Sequence, residues 1–264
     1  MKSKRYIWHP ATVFFLLACL VVFLSWISEV YGMNIVRSET GEVIRVRSLL
    51  SPEGLRWLLR HVVENYVEFR ALGPVLLVVA GVSVCLHSGW ADACMRKWGW
   101  SYCHRTSECR QLSRKERRAL QNSILVGIVY WIIVLFATFS PWAVLRGIDG
   151  GLVRSPFVDG FSFLFAMGAV LMGTCYGFIS GRYRRDYDVV NGMLYLSRFM
   201  VLYLVVCFFA SQMFACLDYS RLDACISGWV LANWGWQGQQ IVSFLIQYIP
   251  LLVVCWYYFS RDKQ

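Results

Sequence analysis

Residues Phe161–Ser180 read FSFLFAMGAVLMGTCYGFIS, twenty positions without a charged side chain. Wound as a helix, that length covers the roughly 30 Å of hydrocarbon in a bilayer. The run is continuous and lacks the two-residue alternation of a barrel strand, so a helix is the expected form. Five more stretches of this kind flank it, near residues 11–31, 72–93, 123–145, 190–217 and 239–259. The expected fold is therefore an all-α integral membrane protein of about six transmembrane helices, with residues 1–264 forming a single polytopic membrane domain.

Composition agrees with that reading. The 264 residues are 58% hydrophobic and 16% charged, against about 25% charged in ordinary soluble domains. One soluble core of this size cannot hide so much apolar surface. Disordered chains and coiled coils both need more charge. The first span follows Lys2, Lys4 and Arg5 and could be mistaken for a signal peptide. It is long, and Ser25–Gly32 offers no small-x-small cleavage site, so it is read as a retained anchor.

The net charge of +10 raises the question of nucleic acid, and its distribution answers it. With the N-terminus placed in the cytoplasm, the inside segments hold 16 of the basic residues and 6 of the acidic ones. The outside segments hold 9 basic and 10 acidic residues. Positive charge concentrated on one side is the pattern that orients membrane proteins, and it needs no nucleic acid. Six spans with the N-terminus inside also return the C-terminus to the inside, which predicts a multi-pass protein of the inner membrane.

Two connecting segments carry structure of their own. In the outer loop 32–71, Ser51 can cap a helix, Pro52 suits its first position, and Glu53 favours its positive end. Leu55, Leu58, Leu59, Val62, Val63 and Tyr66 then share one apolar face, with Arg56, Arg60, Glu64 and Glu68 on another. An amphipathic helix over residues 51–68 is expected, lying on the membrane surface or against the bundle. The basic cytoplasmic loop 95–122 ends in RKERR, and Arg114, Lys115, Arg117 and Arg118 are expected to contact anionic lipid headgroups at about 1 kcal/mol per charge.

Within the fourth span, Ala169, Gly173, Gly177 and Gly181 recur every four residues. Small residues on one stripe let helix backbones approach closely. The expected role is helix packing, within the chain or across a homodimer or partner membrane protein.

Catalytic chemistry is not evident. Cys19, Cys85, Cys175, Cys207, Cys216 and Cys255 lie within or at the ends of apolar spans and read as small hydrophobes. Cys94, Cys103 and Cys109, with His104, lack the short Cys-x2-4-Cys spacing of structural zinc sites. Cys216 and Cys225 bracket an outer interface, where a disulfide is conceivable. No nucleophile elbow, HExxH or phosphate-binding glycine loop occurs. Glu29, His87 and Arg198 can each reach an interface, and Gln212 and Gln247 are polar groups deep enough to bond between helices. No metal, cofactor or enzymatic activity is expected.

Several long segments, in order, resemble the AbgT family of p-aminobenzoyl-glutamate transporters. They are HPATVFFLLACLVVFLS (His9–Ser25), TGEVIRVRSLLSPEGLRWLL (Thr40–Leu59), EFRALGPVLLVVAGVSVCLHSGWADACMR (Glu68–Arg96), SPFVDGFSFLFAMGAVLMGTCYGFISGRYRRDYDVVNGM (Ser155–Met193) and FFASQMFACLDYSRL (Phe208–Leu222). The resemblance implies transport of p-aminobenzoyl-glutamate or a related anionic aromatic compound. It also implies a fold of about nine spans and two re-entrant hairpins, in a protein roughly twice as long. Segments equivalent to the hairpins are not found, so this chain resembles the scaffold part of such a transporter, and no substrate-binding residue is carried over. The alternative expectation is a scaffold-only, non-transporting relative that dimerises or binds a partner membrane protein.

Overall fold

A computed structural model describes residues 8–32, 34–36, 43–97, 112–140, 145–146, 155–224, 242 and 245–260. In chain order the elements are α1 (Pro10–Val30), β1 (Asn34–Val36), β2 (Val43–Arg45), α2 (Pro52–Val67), α3 (Leu72–Ser88), α4 (Trp90–Lys97) and α5 (Arg114–Phe139). They continue with α6 (Pro156–Asp159), α7 (Phe161–Ser180), α8 (Asp186–Leu194), α9 (Ser197–Ser220) and α10 (Leu245–Ser260). The protein is predominantly helical. Among the described residues, five stretches are long and apolar enough to cross a membrane: α1, α2 with α3, α5, α7 and α9. Of the sixth expected span, the continuous described part is α10, which is apolar.

The spans differ from the expected limits where the backbone breaks inside an apolar run. The second was expected through residue 93, but Gly89 adopts φ +81 and divides α3 from α4. The fifth was expected from residue 190, but Tyr195 and Leu196 form a turn between α8 and α9. The third begins earlier than its apolar run, because Ser113 and Glu116 start α5 among the basic residues. The Ser113 amide donates to the Glu116 carboxylate at 2.8 Å, which satisfies an N-terminal donor that the helix itself cannot. Between α1 and α2, β1 and β2 pair as a short antiparallel ribbon, with Ile35 opposite Ile44.

The chain divides into two compact units. One combines Met1–Gly73 with Val201–Gln264, and the other is Pro74–Met200. In the first, α1, α2 and α9 bury Val21, Leu49 and Cys216 together. The expected cap of α2 is present: the Gly54 amide donates to Ser51 Oγ at 3.0 Å. A Cβ at Gly54 would stand 2.7 Å from the Leu49 Cα, so only glycine lets the chain fold back this tightly. Tyr203 donates to the Ala71 carbonyl at 2.9 Å, and Tyr66 donates to the Leu204 carbonyl at 3.2 Å.

The apolar face expected of α2 is split in two. Leu58, Val62 and Tyr66 turn toward the unit. Leu59 and Val63, 78% and 71% exposed, turn away from it with Leu55 and Val67. The apolar sector is wider than one packing partner can cover.

In the second unit, α7 packs between α3 and α5. Toward α3, a Cβ at Gly81 would stand 2.7 Å from the Ala166 carbonyl oxygen, and Cys85 Sγ donates to the Ala169 carbonyl at 3.1 Å. Toward α5, Gly168 lies beneath the Tyr130 ring, Gly127 receives Met172, and Tyr130 donates to the Leu164 carbonyl at 2.9 Å. The far side of α5 exposes Leu125, Ile132, Ile133 and Phe136, a surface suited to hydrocarbon.

Candidate functional site

The second unit gathers its polar chemistry at the end of α3. Ser83 Oγ donates to the Gly192 carbonyl at 2.8 Å and accepts from the Leu196 amide at 2.9 Å. One hydroxyl thus ties α3 to both ends of the turn that separates α8 from α9. One helical turn further along, His87 Nδ1 lies 3.0 Å from the Tyr183 hydroxyl. The His87 ring is also stacked against Tyr183 at 5.6 Å and tilted against Tyr195 at 5.5 Å. Tyr183 is buried, whereas Tyr195 is 58% exposed. The three rings therefore form a cluster with one open face.

Glycines make room for this cluster. The Tyr183 ring lies in contact with Gly177, where a side chain would collide with it. A Cβ at Gly192 would stand 2.6 Å from the Tyr183 hydroxyl. The Arg182 guanidinium packs against Gly89, the residue that breaks the helix. Nearby, Trp90 Nε1 donates to Ser123 Oγ at 3.0 Å and joins α4 to α5.

Charge at this end is arranged as well. Burial is the largest influence on Tyr183 and pushes its hydroxyl up to about 12, although the neighbouring Arg182 pulls the other way. Asp188 is held below its ordinary value, chiefly because its carboxylate accepts from the Arg184 and Arg185 amides at 2.8 and 3.0 Å. Arg182, Arg184 and Arg185 are all solvent-exposed. Chemically, the cluster offers aromatic faces, an imidazole and guanidinium groups within one turn region.

The residues singled out in the sequence fall as follows. Ala169 and Gly173 face α3, and a Cβ at Gly173 would stand 3.0 Å from Val84 Cγ1. Gly177 meets Tyr183 rather than a helix. Gly181 adopts φ +82 as the left-handed cap of α7, and its Cβ direction is open. Arg114, Lys115, Arg117 and Arg118 are exposed in the first turns of α5. Arg198 is exposed at the second position of α9, and Gln212 Nε2 donates to the Val62 carbonyl at 2.8 Å. Cys103, His104, Cys109 and Cys225 lie outside the described residues. Among the described residues no cluster of histidine, cysteine and carboxylate side chains could hold a metal ion. Tyr183 and Tyr195 were missed in the sequence. Their signal is the aromatic residue on each side of the DYDVVNGML segment, which acquires meaning only once His87 is placed beside them.

Comparison with known proteins gives this geometry a context. The model of the AbgT putative transporter family matches residues 4–101 and 100–255. The p-aminobenzoyl-glutamate transport protein of Escherichia coli (strain K12) is 32% identical over 89 residues, which are 34% of this chain and 18% of that protein. Two solved structures are similar in fold. The Alcanivorax borkumensis YdaH transporter covers 83% of this chain and is itself covered over 72%, at TM-score 0.69 and 19% identity. Neisseria gonorrhoeae MtrF, from a class of antimetabolite efflux pumps, covers 95% of this chain and is covered over 82%, at TM-score 0.73 and 16% identity.

Proposed function

The chain belongs to the AbgT transporter family, and from that premise we propose that it moves p-aminobenzoyl-glutamate or a related anionic aromatic compound across the inner membrane. The observation that carries this reading is the family match along nearly the whole chain, in a multi-pass protein whose helices contact the bilayer. The ring cluster supports it chemically. His87 and Tyr195 present aromatic faces on which a benzoyl ring can stack, and the Arg182 side chain beside them supplies positive charge for a carboxylate. The reading is of a carrier, not an enzyme. The ring cluster and Arg114–Arg118 lie on the cytoplasmic side in this reading.

Binding of labelled p-aminobenzoyl-glutamate to the full chain in lipid nanodiscs tests the site. Saturable binding that weakens about tenfold in Tyr195→Ala is expected, because Tyr195 is exposed and its loss leaves the fold intact. Equal binding by the variant would remove the cluster from the reading.

One observation favours a second reading, a non-transporting scaffold that dimerises or holds a partner membrane protein. Only residues 98–113 separate α4 from α5, fewer than the roughly 20 that a single span requires. A re-entrant hairpin with further spans has no room there. Under this reading the purified chain binds no substrate and runs as a stable dimer or with a second membrane protein.

A further inference from the structure

In an unbroken helix each amide donates to the carbonyl four residues back. The Leu196 amide and the Gly192 carbonyl stand at that spacing, yet both bonds go to one hydroxyl from another helix. Ser83 Oγ accepts from the Leu196 amide at 2.9 Å and donates to the Gly192 carbonyl at 2.8 Å. A side chain inserted into the ladder in this way kinks a helix. The local sequence does not demand the break. Residues 193–200, MLYLSRFM, contain no glycine or proline, and Tyr195 keeps right-handed helical angles, φ −57 and ψ −36. The break is therefore imposed by α3, through a serine that is fully buried. His87 follows Ser83 by four residues and so shares its face of α3. One helix face thus carries both the wedge that opens the turn and the imidazole that Tyr195 meets at 5.5 Å.

We propose that Ser83 is a positioning residue: wedged between α8 and α9, it holds Tyr195 beside His87 and so sets the preference of the site for ligands that carry an aromatic ring. The preference rests on the reading of the ring cluster as the substrate site. Without the hydroxyl, the Leu196 amide is free to close on the Gly192 carbonyl. The repaired turn then carries Tyr195 away from His87, while Arg182, at the end of α7, keeps its place against Gly89. Attraction for a carboxylate survives that change, and stacking on a ring does not.

The test compares p-aminobenzoyl-glutamate with N-acetyl-glutamate, which share the glutamate carboxylates and differ by the ring. Both are titrated against the full chain in nanodiscs. The unaltered chain should prefer the ring-bearing ligand by about tenfold, and Ser83→Ala should shrink that preference to about twofold, the scale of one aromatic contact. Binding of N-acetyl-glutamate should be unchanged. Ser83→Thr keeps the hydroxyl and should restore the preference. Tyr130→Phe removes a 2.9 Å bond between α5 and the start of α7, away from the turn, and should leave it intact. The position of the ring is read without ligand from the fluorine resonance of 3-fluorotyrosine incorporated at Tyr195. It should move in Ser83→Ala and stay in Tyr130→Phe. A resonance that stays in Ser83→Ala, or a ring preference that survives it, would overturn the role given to Ser83. A preference lost equally in Tyr130→Phe would overturn it too, since general loosening would then explain the effect. If the unaltered chain binds neither ligand, the reading of the cluster fails, and the specificity with it; the resonance still decides whether Ser83 places the ring. Should Ser83→Ala fail to fold, Ser83→Cys, which fills the same space with a weaker donor, carries the same comparison.

Discussion

Gly177 lies in the last turn of α7 and Gly181 caps that helix four residues on, and their surroundings predict different penalties for enlarging them. Gly177 receives the Tyr183 ring, so Gly177→Leu forces that ring out of the cluster and should cost about 3 kcal/mol, as overpacked cores do. Gly181 has open space but a left-handed backbone, so Gly181→Ala should cost only about 1 kcal/mol. Unfolding in mild detergent under increasing denaturant measures both. Four-residue spacing made the stripe visible in the sequence. It could not show that one member cradles a tyrosine and another ends the helix, because both depend on the turn that follows. The His87–Tyr183 contact joins positions 96 apart, and no local pattern announces it.

Titration at the same residues follows from their surroundings. The raised Tyr183 value means that folding favours the neutral hydroxyl. Its contribution is complete below about pH 10 and is lost as pH climbs through about 12. Tyr183→Phe should flatten the alkaline fall in stability across that window. Asp188 works in the opposite sense. Its lowered value means that stability is present above the ordinary carboxylate range and is lost as pH falls through the folded value. Asp188→Asn should remove that part of the acid dependence. Thermal unfolding of each variant across pH checks both signs.

Among the elements, the apolar runs made the spans legible, since a bilayer leaves few alternatives to helix. The breaks within them were not legible. Hydrophobicity runs on through Gly89, and a lone glycine is tolerated in many membrane helices. What fixes the break is the positive φ at Gly89 together with the Arg182 side chain packed on it. The turn at Tyr195 and Leu196 likewise depends on Ser83, which is distant in sequence. The start of α5 was half legible: the basic cluster stood out, while its place inside the helix follows from the Ser113–Glu116 bond. The exposed residues Arg114, Lys115, Arg117 and Arg118 should bind anionic lipid. Replacing all four with glutamine should weaken retention of anionic phospholipid by about 1 kcal/mol per charge, read by native mass spectrometry against zwitterionic lipid.

For the whole molecule, the membrane fold was legible because composition and run length permit little else. The ring cluster was far less so, since His87, Tyr183 and Tyr195 come from α3, the segment after α7 and the turn after α8, and meet only on folding. Length adds a further tension. The chain carries the family match almost throughout, yet spans 18% of the Escherichia coli relative in their alignment and leaves only residues 98–113 between α4 and α5. Uptake of labelled p-aminobenzoyl-glutamate into liposomes reconstituted with the full chain addresses transport most directly. Time-dependent accumulation above that of protein-free liposomes, reduced in Tyr195→Ala, is the predicted result. Folded, correctly inserted protein that accumulates no more label than empty liposomes would contradict transport by this chain.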